Sequence, residues 1–187
     1  MEICSGRIFL RQWRKQDLDG LARMNADARV MAFFPATLNH EQSEAMLSSF
    51  MRLMDQRGWG IWVLEIPGVT DFAGFVGLHE TEHDLPFCPC TEIVWRLDAE
   101  YWGRGYATEA ARAALDFGFT TLGLEEIVAF TSVGNRRSQR VMQRLGMSCD
   151  ERGFEHPAVE IGSPLRAHVL YRIARPYNTD QKQGPVI

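Results

Sequence analysis

The segment Tyr101-Trp102-Gly103-Arg104-Gly105-Tyr106-Ala107-Thr108 carries the densest chemical signal in this 187-residue chain. Two glycines bracket an arginine, and small residues then open a stretch of helical apolar spacing. Glycine lets the backbone turn so that successive N–H groups point into one space. The first N–H groups of a helix have no internal partners and carry partial positive charge. Together these features make a seat for a pyrophosphate. Rival motifs fail on spacing: no lysine follows as a P-loop requires, and Thr108 stands where a dinucleotide fingerprint needs its third glycine. Taken alone, the segment is equally well read as a glycine-containing turn without a ligand.

A second segment, Asn135-Arg136-Arg137-Ser138, closes with Leu145-Gly146-Met147. On its own it is a short helix with Asn135 as N-cap and Gly146 as C-cap. Arg136, Arg137, Arg140 and Arg144 then form a solvated face. Cys88 and Cys90 flank Pro89, with His79 and His83 just upstream. C-x-C is not the usual C-x₂₋₄-C zinc clip, so an ordinary loop with free thiols is expected and no metal.

The elements that must position these residues follow from periodicity. Residues 7–13 alternate as a strand, and 15–27 form an amphipathic helix. Asn39, with Gln42 three residues on, opens a second helix that stops near Gly58. Strands follow at 60–66 and 72–80, joined by a Pro67-Gly68 turn. A fourth strand, 91–97, puts Ile93, Trp95 and Leu97 on one face and Glu92, Val94 and Arg96 on the other. The glycine turn leads into a long helix reaching about Leu122, with Gly123 at its C-terminal cap. A strand at 126–133, the Asn135 helix, and strands at 147–154 and 167–175 complete the pattern. An antiparallel run followed by a crossover predicts an α/β (α+β) mixed sheet. One domain is expected over residues 1–177, with 178–187 a flexible tail.

Composition agrees with a cytoplasmic globular domain. Hydrophobic residues make up 45% and charged residues 24%, and the apolar runs are too short for a membrane span. The N-terminus has no signal-peptide core. A net charge of −4 gives no basic excess for nucleic acid and slightly favours a cationic small molecule.

With both motifs on one β–α–β–α frame, the sequence resembles the GNAT superfamily of CoA-dependent N-acetyltransferases, and most closely its RimJ/RimL-like branch. The likeness runs from about Arg7 to Pro176. It rests on Phe75-Val76-Gly77-Leu78, on Glu92-Ile93-Val94-Trp95-Arg96-Leu97, on residues 101–109, on Asn135 to Ser138, and on Leu145-Gly146-Met147. The family's phosphate loop reads Q/R-x-x-G-x-G/A; Gly105 and Ala107 match its small residues, while Trp102 replaces the usual Gln or Arg.

The resemblance implies a mostly antiparallel sheet of about seven strands flanked by helices, with a splayed parallel pair. It implies acetyl-CoA as cosubstrate, its pantetheine arm against the main chain of Ile93, Val94, Trp95 and Leu97. The pyrophosphate would sit on the amides of Gly103, Arg104, Gly105, Tyr106, Ala107 and Thr108, with Asn135 on the pantetheine. The reaction would be direct attack of a primary amine on the thioester in a ternary complex. Glu92 is the expected base, or else only an ion-pairing carboxylate, and the Val94 amide would face the oxyanion. Many relatives place a tyrosine seven residues after the asparagine to help the leaving thiolate. Met142 stands there, and Ser138 is the expected substitute. Glu92→Gln is expected to slow the reaction most at low pH. The acceptor is a protein N-terminus or a small-molecule amine, lined by Phe33, Phe34, Glu80, Glu82, Asp84, His156 and His168. A monomer or homodimer is expected. The missing tyrosine leaves open a non-catalytic acyl-CoA-binding module on the same fold.

Overall fold

One mixed sheet organises the computed structural model, which describes residues 2–81 and 85–176. In chain order its strands are β1 (Ile3–Ser5), β2 (Ile8–Arg11), β3 (Ile61–Ile66), β4 (Thr70–Thr81), β5 (Cys90–Leu97), β6 (Glu126–Ser132), β7 (Ser148–Glu155) and β8 (Ala167–Ala174). They lie side by side as β1-β2-β3-β4-β5-β6-β8-β7. Every neighbouring pair is antiparallel except β5 and β6. That parallel pair is registered at Glu92↔Val128.

Four α-helices cover the sheet: α1 (Leu18–Ala26), α2 (His40–Arg57), α3 (Tyr106–Thr120) and α4 (Arg136–Arg144). The capping box expected for α2 is present. Asn39 Oδ1 accepts from the Gln42 N–H at 2.8 Å, and Gln42 Oε1 accepts from the Asn39 N–H at 2.9 Å. The helix stops at Gly58, whose φ of 76° is left-handed.

Strand alternation divides the core into two layers. One face buries Trp13, Leu21, Met24, Val63, Phe72 and Phe75 beneath α1 and α2. The other buries Trp62, Val76, Leu78, Ile93 and Ile127 against the alanine-rich side of α3 and against Met142 of α4. Small residues let α3 approach closely: a Cβ on Gly118 would lie 2.7 Å from Ile127 Cδ1. Each large side chain buried there contributes roughly 1.5–3 kcal/mol.

Arg11 anchors α1 to the sheet. It is 1% exposed and donates to Asp17 at 2.8 and 2.9 Å, to Glu65 at 2.8 Å and to the Asp71 carbonyl at 2.7 Å. Removing one partner of such a buried pair costs about 3–5 kcal/mol.

The sheet has eight strands rather than about seven. Ile3–Ser5 adds an edge strand, because Gly6 takes a φ of 53° and folds the terminus back on Ile8–Arg11. Helix α3 ends at Thr120 rather than near Leu122, with Thr121 as its C-cap; Gly123 adopts the left-handed conformation two residues later. The expected tail at 178–187 lies outside the described residues, as do Glu82, His83 and Asp84.

Candidate active site

The glycine-containing segment Trp102–Thr108 begins where β5 ends. Asp98 caps a short 3-10 turn, Ala99–Tyr101, by accepting from the Glu100 N–H at 3.2 Å. Trp102 then runs extended, and its indole N–H donates to the Leu97 carbonyl at 2.9 Å. Trp102 therefore braces the loop against the strand it leaves. Gly103 and Gly105 have φ of 76° and 86°, and Gly105 is the N-cap of α3. A Cβ on Gly103 would meet nothing within 4 Å. Glycine is required there for backbone conformation rather than for space.

No side chain caps α3. The N–H groups of Tyr106, Ala107 and Thr108 open the helix and have no partner within it. Arg7 braces this helix start. Its guanidinium binds Glu109 at 2.8 Å and the Arg104 carbonyl at 3.3 Å, while its main-chain N–H donates to Glu109 at 2.7 Å. Arg137 lies over the Trp102 ring at 4.4 Å, which ties the start of α4 to this loop.

Alternation on β5 keeps Ile93, Trp95 and Leu97 toward α3, packed in or against the core. Glu92, Val94 and Arg96 face the α1 side. The register with β6 is recorded at Glu92↔Val128 alone, which leaves the C-terminal halves of the two strands free to part. The seat at Gly103–Thr108 and the helix start at Asn135 both lie beyond those C-terminal ends.

Glu92 accepts from Thr81 Oγ1 at 3.4 Å. Burial pushes its carboxyl up to about 8, opposed by that bond. A carboxyl held there matches a proton acceptor working near neutrality. Cys90 and Cys88 lie close by, their sulfurs 3.4 Å apart. Desolvation pushes the Cys90 thiol up to about 12, so it stays protonated. Among the described residues no group of three or more metal-ligating side chains comes together.

Asn135 is engaged at both ends of its amide. Oδ1 accepts from the Ser138 N–H at 3.2 Å, and Nδ2 donates to Thr131 Oγ1 at 3.0 Å. Ser138 sits half-buried in the first turn of α4. Met142 is 1% exposed within the core.

One cluster of rings gathers groups that are far apart in sequence. Phe130, Phe154, His156, His168 and Phe87 form one ring cluster on the face that Glu92 shares. His168 Nδ1 donates to the Arg166 carbonyl at 2.9 Å, so the neutral ring keeps Nε2 as an acceptor. Desolvation lowers its basicity, and the Arg166 bond opposes this. Phe33 and Phe34 stand at the other edge of this face, in the α1–α2 loop. Glu80 lines a cavity that Phe87 and Val128 also border. It is in register with Thr91, on the α3 face, and pairs with Arg57 at 2.9 Å. Glu82 and Asp84 lie outside the described residues. The aromatic cluster, the Arg7–Glu109 clamp and the setting of Arg96 were not legible in local sequence, since each joins residues distant along the chain.

No helix among the described residues is long and apolar enough to cross a membrane. The family model described as "Acetyltransferase (GNAT) domain" matches residues 7–148. The spermidine N(1)-acetyltransferase of Escherichia coli K12 is 28% identical over 150 residues, covering 76% of this chain and 74% of that protein. A solved GNAT-family acetyltransferase from Bacillus anthracis superposes with a TM-score of 0.77 at 24% identity, covering 94% of this chain and 99% of that one. The ribosomal-protein-S5-alanine acetyltransferase of Vibrio fischeri shares the fold at 19% identity, with a TM-score of 0.72 over 94% of this chain and 97% of that one. The family model covers most of the chain, and an uncapped helix start follows a parallel strand pair registered at one position; the protein belongs to the GNAT family and is an acetyl-CoA-dependent N-acetyltransferase.

Proposed function

We propose that the protein transfers the acetyl group of acetyl-CoA to a primary amine by direct attack in a ternary complex. The observation that carries this reading is the parallel pair registered at Glu92↔Val128, with the uncapped start of α3 beyond its open end and Glu92 at its closed end. The amides of Gly103 to Thr108 hold the pyrophosphate. The main chain of Ile93, Val94, Trp95 and Leu97, with Asn135, lines the pantetheine arm. The Val94 amide faces the carbonyl oxygen as charge develops on it. Glu92 takes the amine proton, directly or through a water, and Ser138 donates a hydrogen bond to the departing thiolate.

The acceptor is a protein N-terminus, as for RimJ/RimL-like enzymes, or a small-molecule amine. The relatives act on both kinds by name, spermidine in one case and a ribosomal protein in the other. Release of CoA thiol, followed with acetyl-CoA against α-amino peptides, amino acids, polyamines and aminoglycosides, tests the proposal. Acceptor-dependent release with formation of the N-acetyl product is expected. Thiol release that no amine accelerates would overturn it.

A further inference from the structure

Two arginines are set deep in this fold on very different terms. Arg11 has two carboxylates and main-chain carbonyls around its guanidinium. Arg96, on β5, makes one hydrogen bond, from Nη1 to Asn25 Oδ1 at 2.7 Å. Aromatic rings cover it, Phe34 at 4.2 Å and Phe75 at 5.2 Å. Its Nε is buried with no hydrogen-bond partner among the described residues. Burial alone pushes the guanidinium down to about 10, with no acid acting against it.

A second orphan lies across the strand gap. Ser132, on β6, is 2% exposed, and its Oγ also has no hydrogen-bond partner among the described residues. From the register pair Glu92↔Val128, four residues onward along each strand lead to Arg96 and Ser132. They occupy equivalent positions on either side of the parting pair and share one face. Arg96 is in register with Phe75 beneath α1. Ser132 is in register with His168, whose ring meets Phe130 on that face. Consecutive residues of the α1–α2 loop bridge the two: Phe34 stacks on Arg96, and a Cβ on Gly134, two residues past Ser132, would lie 3.4 Å from Phe33 Cε1.

Buried polar atoms without partners are uncommon, and more so on a largely covered cation without a counter-ion. Arg96 Nε can only donate and Ser132 Oγ can donate, so one oxygen acceptor would satisfy both. Val94, whose amide is assigned to the thioester, lies midway between Glu92 and Arg96, roughly 7 Å along the strand from each. An amine attacking there has the base on one side and the guanidinium on the other.

We propose that Arg96 and Ser132 form an anchoring subsite for a carboxylate or carbonyl oxygen close to the acceptor amine. The preferred acceptor is therefore an α-amino acid or a peptide N-terminus rather than a polyamine. The inference rests on the acetyl-transfer reading and names the acceptor class for that site.

Matched acceptor sets test it: leucine, phenylalanine and lysine, each offered as the free acid, the amide and the decarboxylated amine, with spermidine alongside. CoA release is followed with the full-length protein. The acid or the amide is expected to exceed its decarboxylated amine in kcat/KM by about tenfold or more. A leading acid arm indicates a free amino acid, and a leading amide arm a peptide terminus. Ser132→Ala and Arg96→Met should collapse the ratio toward one, mainly through KM, while Arg96→Lys restores part of it for acids. Acetyl-CoA affinity should stay within about twofold throughout. A preference for the decarboxylated amines or spermidine would overturn the subsite, as would variants that lower acetyl-CoA affinity instead. Calorimetric titration of the same sets into the protein–CoA complex reads binding without turnover. A preference for the oxygen-bearing compound that Ser132→Ala abolishes supports the subsite even if no thiol is released, an outcome that would sink acetyl transfer alone. Equal binding of all three forms overturns the subsite.

Discussion

The Arg7 guanidinium meets Glu109 at 2.8 Å and the Arg104 carbonyl at 3.3 Å, joining the turn before β2 to the first turn of α3 across 102 residues of sequence. The pair neutralises the only carboxylate in that first turn. Without Arg7, the Glu109 charge would stand beside the proposed pyrophosphate seat, and the loop would lose a fixed carbonyl. Arg7→Ala should weaken acetyl-CoA binding by about three- to tenfold with little change in melting temperature. Titration calorimetry and a thermal melt check this; unchanged affinity would detach Arg7 from the seat.

Thr108→Glu probes the seat without disturbing backbone geometry. Position 108 lies in the first turn of α3, where a carboxylate favours the helix dipole, so the fold should hold. The same charge opposes a pyrophosphate, and acetyl-CoA affinity should drop by about a hundredfold. Gly105→Glu should bind as poorly, but its φ of 86° adds strain and confounds stability. A Thr108→Glu protein with normal affinity would place the pyrophosphate elsewhere.

Glu92 gives a pH signature whose direction the structure reverses. With its carboxyl pushed up to about 8, Glu92 is protonated at low pH and cannot take a proton there. The rate lost in Glu92→Gln should therefore be smallest at low pH and grow toward pH 8, reaching about 10²–10⁴-fold for a true base. A constant factor at every pH would mean that Glu92 only holds the site together. Stability carries the same mark. A folded-state pKa above the ordinary carboxyl range means the folded protein binds the extra proton, so stability declines as pH rises from that range to about 8. Glu92→Gln should be more stable than the parent at pH 9, by about 1–3 kcal/mol after allowance for partial exposure, and should lose that advantage near pH 4.

Ser138 and Met142 separate chemistry from packing on one helix. Ser138→Ala should lower kcat by about 10- to 100-fold while acetyl-CoA affinity stays normal, because its bond matters as charge develops on sulfur. An unchanged kcat on a proven acceptor would move the role to solvent or to His168. Met142→Tyr should not substitute for the serine. Position 142 is 1% exposed in the core, and the added ring should cost about 1–3 kcal/mol without raising kcat.

Local chemistry made much of this protein readable in advance. The Asn39–Gln42 box, the glycine turn before α3 and the Asn135 cap act within a few residues, so their backbone consequences follow from sequence. Strand alternation on β5 likewise put Glu92, Val94 and Arg96 on one face before any partner was known. The edge strand at Ile3–Ser5 was missed because three residues carry no period, and only pairing with β2 makes them a strand. The place of Glu80 follows from register with Thr91, which the strand's own apolar run does not encode. The carboxyl shift of Glu92 and the aromatic cluster depend on desolvation and contact between distant elements. So do the unpartnered Arg96 Nε and Ser132 Oγ. The tertiary structure decided them because burial and register are properties of the closed sheet, not of any stretch of chain.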